Sequence, residues 1–390
     1  MAAPIEPDEE TAGKQISFDR FLRYFLWLGI FGFGGPIATV GYMQRDLVEK
    51  RSWLKREDFL NGVALGQVMP GPLAAQVAMW VRVLARGALG ALAVASAFIL
   101  PSFALVLTVA VLYVRFQGLP VVQALFFGIA PAAMAIIALA AVKLARLTDQ
   151  RDPRLWTISA ITLLVTAVTG AEIALVFIAA GLLMVVWDAP PSFLRRGASR
   201  AALLPLGVPA LSLSTIDAGT QGALFLFFLK AGAFIFGSGL AIVPFLREGV
   251  VTQHHWLTQH QFLDAVAIGL ITPGPVVITA TFIGYLVGGF LGAVVATIAI
   301  FIPIYLGVVI PGRWFVRHSK DPGVQAFVRG ATAAAAGAIG GATIILTRGA
   351  VVDVKTAVIT LVSPGLILRF KLKEPILVVL AGAAGILLHG

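Results

Sequence analysis

The chain has 390 residues, of which 59% are hydrophobic and 12% charged, and its mean hydropathy is +0.94. A soluble domain carries about twice that share of charge, so this composition excludes an ordinary water-soluble protein and favours a bilayer. The absence of cysteine excludes disulfides, thiolate metal sites and a cysteine nucleophile. The net charge of +10 comes from short basic clusters between long uncharged stretches, as in cytoplasmic loops, so no nucleic-acid partner is predicted.

A polar, acidic tail over residues 1–20 precedes a series of long apolar stretches. Residues 88–114 and 117–142 contain no charged side chain, and residues 265–312 contain no Asp, Glu, Lys, Arg or His. A membrane helix needs about 20 apolar residues, whereas a barrel strand alternates over about ten. We therefore predict an all-α, polytopic membrane protein with about ten to twelve helical segments. The remaining segments are expected near 21–44, 59–83, 155–187, 221–246, 323–347, 353–368 and 374–389.

An internal repeat relates the two halves of the chain. At an offset of 203 residues, Phe25 to Trp80 shares 19 identities in 56 aligned pairs with the second half, and Trp53 and Pro70-Gly71-Pro72 stay in step. After one deletion the offset becomes 202 and pairs Pro101 with Pro303. This repeat predicts a first transporter unit with two short helices over 21–187, a basic, proline-rich linker over 188–220 and a second unit over 221–390.

The equivalent loops of the two repeats differ in charge. Five basic residues lie in the first loop, whereas the second has only Arg247 among neutral residues and histidines. By the positive-inside rule the first loop is cytoplasmic and the second is outside. We therefore expect inverted repeats, as in many secondary transporters. The basic residues of the first loop are Arg45, Lys50, Arg51, Lys55 and Arg56.

Each repeat contains a Pro-Gly-Pro sequence inside an apolar segment, which predicts a broken helix. The helix that restarts after each break presents free N–H groups and the positive end of its dipole, which favour an anion. Paired broken helices in two halves indicate a transporter binding site, although a proline kink can also serve packing alone. The predicted anion-binding residues at the breaks are Gln67, Pro70, Gly71, Pro72 and Gln76 in the first repeat, and Thr272, Pro273, Gly274, Pro275 and Thr279 in the second.

Other residues have both a functional and a structural interpretation. Lys230 and Arg82 are candidate anion attractors, but long basic side chains also extend to the membrane interface. Asn61 and Asp264 are interpreted as residues at helix starts. Helix breaks or close packing through small residues are predicted at Gly34, Gly35 and Pro36 and at Gly237, Ser238 and Gly239.

No metal site, cofactor or catalytic residue is predicted. His254, His255 and His260 have a spacing that superficially suits a metal, but acidic and cysteine partners are missing. Glu172, at the junction of the two short helices, is interpreted as a turn residue rather than a proton carrier. An intramembrane enzyme is the rival hypothesis from another class, and it would need an acidic pair or a histidine cluster in the apolar segments.

Several of these motifs resemble the chromate ion transporter family. They are Phe33 to Pro36, GYMQRDLVEKRSWL from Gly41, QVMPGPLAAQ from Gln67 and LDAVAIGLITPGPVVITATFIGYL from Leu263. Thr39 and Arg82 depart from the family pattern. The resemblance implies a multi-pass bacterial inner-membrane protein that exports chromate and confers chromate resistance.

The expected partners are chromate or a sulfate-like oxyanion and the lipid bilayer, and a homodimer is also compatible with the sequence. The hypothesis is a secondary transporter that is driven by the membrane potential or by the proton motive force. A transporter of another anion, such as sulfate, on the same fold is the alternative.

Overall fold

The computed structural model describes residues 17–33, 35–69, 71–169, 174–190, 219–235, 239, 242–312, 314, 318 and 321–389. This part of the chain is all-α, which confirms the predicted class. The first half contains α1 (Phe18–Phe31), α2 (Gly35–Met43), α3 (Arg56–Val68), α4 (Leu73–Phe116), α5 (Pro120–Asp149), α6 (Pro153–Thr169) and α7 (Ala174–Asp188). The second half contains α8 (Thr220–Ala233), α9 (Ile242–Arg247), α10 (Gln259–Ile271), α11 (Thr279–Val309), α12 (Pro322–Ala350), α13 (Val354–Phe370) and α14 (Glu374–His389).

Four helices of the described residues are long and apolar enough to cross a bilayer. They cover Gly87–Phe116, Pro120–Asp149, Val276–Val309 and Pro322–Ala350. Shorter apolar helices of 10–17 residues add to them. The polytopic membrane architecture is therefore confirmed. Predicted segments such as 21–44 and 221–246 each contain two helices, because glycine-rich sequences interrupt them.

Local capping signals set several helix starts. Thr258 caps α10 and forms a reciprocal capping box with Gln261, while Asp321 accepts hydrogen bonds from the first turn of α12. The positions of the helix starts show that one interpretation from the sequence is wrong. Asp264 is the sixth residue of α10 and Asn61 is the sixth residue of α3, so neither side chain caps its helix.

The two repeats adopt the same backbone conformation at matching positions. Positive φ angles occur in pairs at the repeat offset: Ser52 with His255, Gly71 with Gly274 and Gly87 with Gly289. A π-helical turn lies just before Ser52, over Gln44–Lys50, and another lies just before His255, over Glu248–Gln253. The sequence repeat is therefore a structural repeat.

Close helix contacts are also repeated. A Cβ atom on Gly29 would lie 3.2 Å from the Pro101 ring, and one on Gly232 would lie 2.8 Å from the Pro303 ring. These glycines let α1 approach α4 and α8 approach α11 at an intrahelical proline. Both pairs place the proline-containing part of a long helix against the first helix of its own repeat.

The two short helices α6 and α7 pack on α12 of the second repeat. Leu155, Phe177 and Met184 share a buried apolar cluster with alanines of α12. Asp188 at the end of α7 also forms ion pairs with Arg154 and with Arg329 of α12. The beginning of α6 carries a further ion pair, in which Arg154 lowers the pKa of Asp152. The predicted linker lies outside the described residues over 191–218.

The left-handed backbone at Gly289 gives a stability prediction. Gly289 has φ +61° and open space where a Cβ would stand, so Gly289→Ala should cost roughly 1–2 kcal/mol from backbone strain alone. Gly307→Ala is the matched control, because Gly307 also faces open space but lies in regular helix, where alanine gains roughly 0.5–1 kcal/mol. Thermal unfolding in detergent measures both. Equal shifts of the two variants would contradict the role of φ.

Candidate functional site

The first break separates α3 from α4. α3 ends at Val68, Met69 is extended, and Gly71 has φ +139°, a conformation that only glycine adopts readily. The Gln76 side chain, from the first turn of α4, donates its amide to the Met69 carbonyl at 3.1 Å. Gln76 therefore bridges the break and is fully buried. Pro70 and the side chain of Gln67 lie outside the described residues.

The second break separates α10 from α11 in the same way. Gly274 has φ +100°, and a short 3-10 turn over Val276–Ile278 leads into α11. The Thr272 hydroxyl donates to the Ile268 carbonyl at 2.6 Å, and the Thr279 hydroxyl donates to the Val276 carbonyl at 2.8 Å. Both predicted hydroxyl ligands therefore donate to their own backbone. Thr281 is likewise hydrogen-bonded, to Thr297 at 2.7 Å.

Each break is completed by the other repeat. The Gly71 N–H donates to the Ile235 carbonyl at 2.7 Å, so the first break is bound to the segment that follows α8. The Ser102 hydroxyl of α4 donates to the Pro273 carbonyl at 2.7 Å, so the second break is bound to the first repeat. We call this region, defined by Gly71, Ser102, Ile235 and Pro273, the junction.

At each break, a side chain from the other repeat also limits the space beside the glycine. A Cβ on Gly71 would lie 2.9 Å from Ile304 of α11, and a Cβ on Gly274 would overlap the hydroxyl of Ser102. Ser102 and Ile304 occupy equivalent positions, each directly after the repeated intrahelical proline. Both glycines are therefore required by backbone conformation and by space.

Gly239 brings the two breaks together. A Cβ on Gly239 would lie 3.8 Å from Pro72 and 3.5 Å from Val276, the first residues after each break. The starts of α4 and of the helix beginning at Val276 therefore face one small region. The contacts that join the breaks, within the described residues, involve backbone groups, Ser102 and Gln76, and no charged side chain.

The helix starts at the two breaks carry partial positive charge. The first N–H groups of a helix have no intrahelical partner, and its dipole places partial positive charge there. Ala74 and Val277, in the first turns after the breaks, are buried, so these dipoles act in a region of low dielectric constant. Two such ends attract an oxyanion without a full positive charge.

The remaining predicted residues lie as follows. Lys230 is exposed in the last turn of α8, with its ammonium 5.9 Å from the centre of the Phe245 ring, and the described contacts do not bring it to the junction. Gly35 and Pro36 begin α2. Gly34, Gly237 and Ser238, the side chain of Arg82, and Glu172 lie outside the described residues.

The histidines of the second loop take part in local contacts. His254 stacks on Trp256 with ring centres 4.2 Å apart, and burial lowers the pKa of His254. A ring nitrogen of His255 lies 3.0 Å from the Val251 carbonyl.

Sequence reasoning missed Ser102 and Ile235. The available signal for Ser102 was its position directly after Pro101, an intrahelical proline that the repeat preserves as Pro303. No comparable signal exists for Ile235, which contributes only its backbone carbonyl.

A separate apolar groove of about 330 Å³ lies between α4 and α11. Leu92, Ile99, Phe103, Ile298 and Phe301 are among its lining residues, and none of the predicted anion-binding residues lines it. Its walls suit hydrocarbon rather than an oxyanion.

Comparison with known proteins shows the family of this chain. The family model described as chromate transporter matches residues 20–185 and 222–386, which are the two repeats. This chain belongs to the chromate transporter family. The transporter is 48% identical over 391 residues to the chromate transport protein of Cupriavidus metallidurans, covering 98% of this chain and 97% of that protein.

Two further relatives carry related names. The probable chromate transport protein of Synechococcus elongatus is 45% identical over 375 residues, covering 95% of both chains. The chromate transport protein of Pseudomonas aeruginosa is 30% identical, covering 87% of this transporter and 83% of that protein. No solved structure gives a significant match. The resemblance seen in the sequence motifs is thus confirmed, and the chain is a multi-pass membrane protein of a transporter family.

The bond between Ser102 and Pro273 gives a prediction for the transporter. Ser102→Ala leaves a buried carbonyl without this donor, so the transporter should lose about 1–3 kcal/mol of stability. Thr108→Ala is the matched control, because Thr108 is exposed on the same helix and bonds its own backbone. Thermal unfolding in detergent measures the stability of both variants. Equal behaviour of the two variants would contradict a role for this bond.

Proposed function

We propose that this protein exports chromate across the bacterial inner membrane and binds the dianion at the junction. The observation that carries the proposal is the mutual completion of the two breaks through the Gly71–Ile235 and Ser102–Pro273 bonds. Broken backbone at membrane depth is tolerated only where it is buried in protein or lines a cavity. A pair of such breaks between two repeats is typical of a transporter substrate site.

The donor set suits a tetrahedral dianion. The helix starts after Pro72 and Pro275 supply N–H groups, and the described residues at the junction bring no carboxylate that would repel an anion. Backbone donors discriminate poorly between oxyanions of similar charge and shape. Sulfate is therefore the natural competitor on the same site.

Alternating access follows from opposite orientations of the two repeats. The first inter-helix loop carries Arg45, Lys50, Arg51, Lys55 and Arg56, and its counterpart carries only Arg247, which supports inversion by the positive-inside rule. Movement of one repeat against the other would then open the junction to alternate sides.

The membrane potential supplies enough energy for export. Moving one charge across 100 mV is worth about 2.3 kcal/mol, so a dianion that leaves a negative interior gains about 4.6 kcal/mol. At about 1.4 kcal/mol per decade, this sustains a gradient on the order of a thousandfold. The proton motive force can add to this drive.

Chromate uptake by proteoliposomes tests the substrate and the driving force. With an inside-positive potassium diffusion potential and equal pH on both sides, uptake should rise with voltage and saturate with chromate. Excess sulfate should compete more strongly than phosphate, because sulfate is fully dianionic and unprotonated at neutral pH, whereas phosphate carries protons and is partly monoanionic. Folded, monodisperse protein that gives no chromate uptake under either a voltage or a pH gradient would overturn the proposal.

Bulky substitutions test the site. Gly71→Leu and Gly274→Leu place side chains against Ile304 and Ser102 and strain the backbone, so each should reduce chromate flux by about a hundredfold or more. Gly41→Leu is the control, because a Cβ at the exposed Gly41 meets no atom within 4 Å. Only variants with the wild-type gel-filtration profile are compared. Intact flux in folded Gly71→Leu and Gly274→Leu proteins would exclude the junction as the anion path.

A further inference from the structure

A further polar contact between the repeats lies away from the junction. Tyr113, in the last turn of α4, donates its hydroxyl to the Asp264 carboxylate of α10 at 2.7 Å. The ring of Tyr113 makes edge contacts with Phe126 of α5 and Phe282 of α11, with centres 5.4 and 5.2 Å apart. The acid is therefore held against an aromatic cluster at the interface of the two repeats.

Asp264 has no ion-pair partner in the part of the chain that the structure describes. A carboxylate largely removed from water without a cation is costly, and uptake of a proton relieves that cost. A carboxyl group in this setting changes its charge when its surroundings change. Ionisable residues at such positions in membrane proteins commonly mark proton or ion pathways.

The groups around α10 leave this acid electrostatically isolated. From α4 the facing titratable group is Tyr113 itself, and α11 contains no charged residue. On α10, His260 lies one turn before Asp264 and is exposed. From α14, the ring of His389 contacts that of Phe127, the neighbour of Phe126, in a tilted arrangement with ring centres 4.7 Å apart.

The charged groups on the other elements that pack near α10 lie close to the start of α10 or farther from Asp264. Arg247 donates to Gln259, and Arg348 precedes Gly349, which also approaches Gln259. Gln259 lies about 7.5 Å along the helix from Asp264. In the π-helical turn before α10, the Glu248 carboxylate accepts from Gln253. The charged residues of α5, which are Lys143, Arg146 and Asp149, and Glu374 of α14 lie at the opposite ends of their helices from the rings named above.

The pair is mechanically connected to the junction. Asp264 lies nine residues before Pro273 on the helix that ends at the second break, and Tyr113 lies eleven residues after Ser102 on α4. α4 and the second break are thus tied at two points that are roughly 14–16 Å apart. A change at the Tyr113–Asp264 bond acts on the same short helix that carries the anion site at its other end.

The Tyr113–Asp264 pair has no repeat-related counterpart. By the repeat alignment, Asn61 stands where the second repeat has Asp264, and Phe315 stands where the first has Tyr113. Neither counterpart residue titrates. The repeated fold therefore does not require this acid and phenol, which favours a role specific to transport.

We propose that Asp264 is the proton-binding site of this transporter and that its bond to Tyr113 couples proton binding to anion movement. This rests on the proposed anion path through the junction. As a carboxylate, Asp264 accepts a charge-assisted bond that holds α10 against α4. When it is protonated that bond weakens to an ordinary one and α10 is freed to move. One proton taken up outside and released inside accompanies one dianion outward.

Proteoliposomes with separately controlled voltage and pH test the coupling. In one arm, valinomycin with equal potassium holds the voltage at zero while an acidic lumen drives protons out and chromate in. In the other arm, a potassium diffusion potential drives chromate at equal pH. Asp264→Asn, which places the residue of the first repeat at this position, should lose about tenfold or more of the pH-driven uptake and keep voltage-driven uptake within about twofold.

Tyr113→Phe and Glu57→Gln complete the design. Tyr113→Phe removes a donor to the carboxylate, so the pH profile of uptake should move to higher pH while proton coupling remains. Glu57→Gln, an exposed acid on the first-repeat helix α3, should change neither arm.

Each outcome decides the proposal. Wild-type pH-driven uptake in Asp264→Asn, or voltage-driven but no pH-driven uptake in the wild type, overturns the proton site and leaves the proposed function intact. If Asp264→Asn does not fold, an unchanged pH profile in Tyr113→Phe overturns it. Absence of chromate uptake in both arms of the wild type refutes the proposed function instead.

Discussion

Hydrogen bonding of the backbone inside the bilayer is the constraint on which this structure depends. A Pro-Gly-Pro sequence interrupts the helical ladder where water is scarce, and the released groups need other partners. The protein meets this need between repeats: Gly71 bonds Ile235, and Ser102 bonds Pro273. The breaks can therefore exist only while the two repeats stay together.

The same constraint explains why the proposed anion site is made of backbone groups. A helix start that presents its N–H groups must also be kept away from lipid. Gly71, Gly274 and Gly239 allow this because neighbouring segments pack closely against them. Charge at this depth would be costly without a partner. Dipoles and peptide groups supply positive potential at lower cost, which fits a substrate that has to leave again.

Much of the architecture was predictable because it rests on local chemistry. The apolar lengths predicted the membrane helices, and the repeat predicted matching breaks, which the paired φ angles at Gly71 and Gly274 confirm. Contacts between distant segments were not predictable. The interpretation of Asp264 as a helix-start residue is wrong because the capping box of Thr258 and Gln261 starts α10 before it. The bond from Tyr113 to Asp264 depends on packing that no local pattern encodes. The packing of α6 and α7 on α12 has the same origin.

The crossed bonds also bear on biogenesis. Pro273 lies 171 residues after the serine that donates to it, so the ribosome releases α4 long before its partner is made. During that interval the first half enters the bilayer with its own break uncompleted, and only short-lived contacts with water, lipid headgroups or the insertion machinery can satisfy it. The first break therefore reaches its final hydrogen bonding only after the second half has been made.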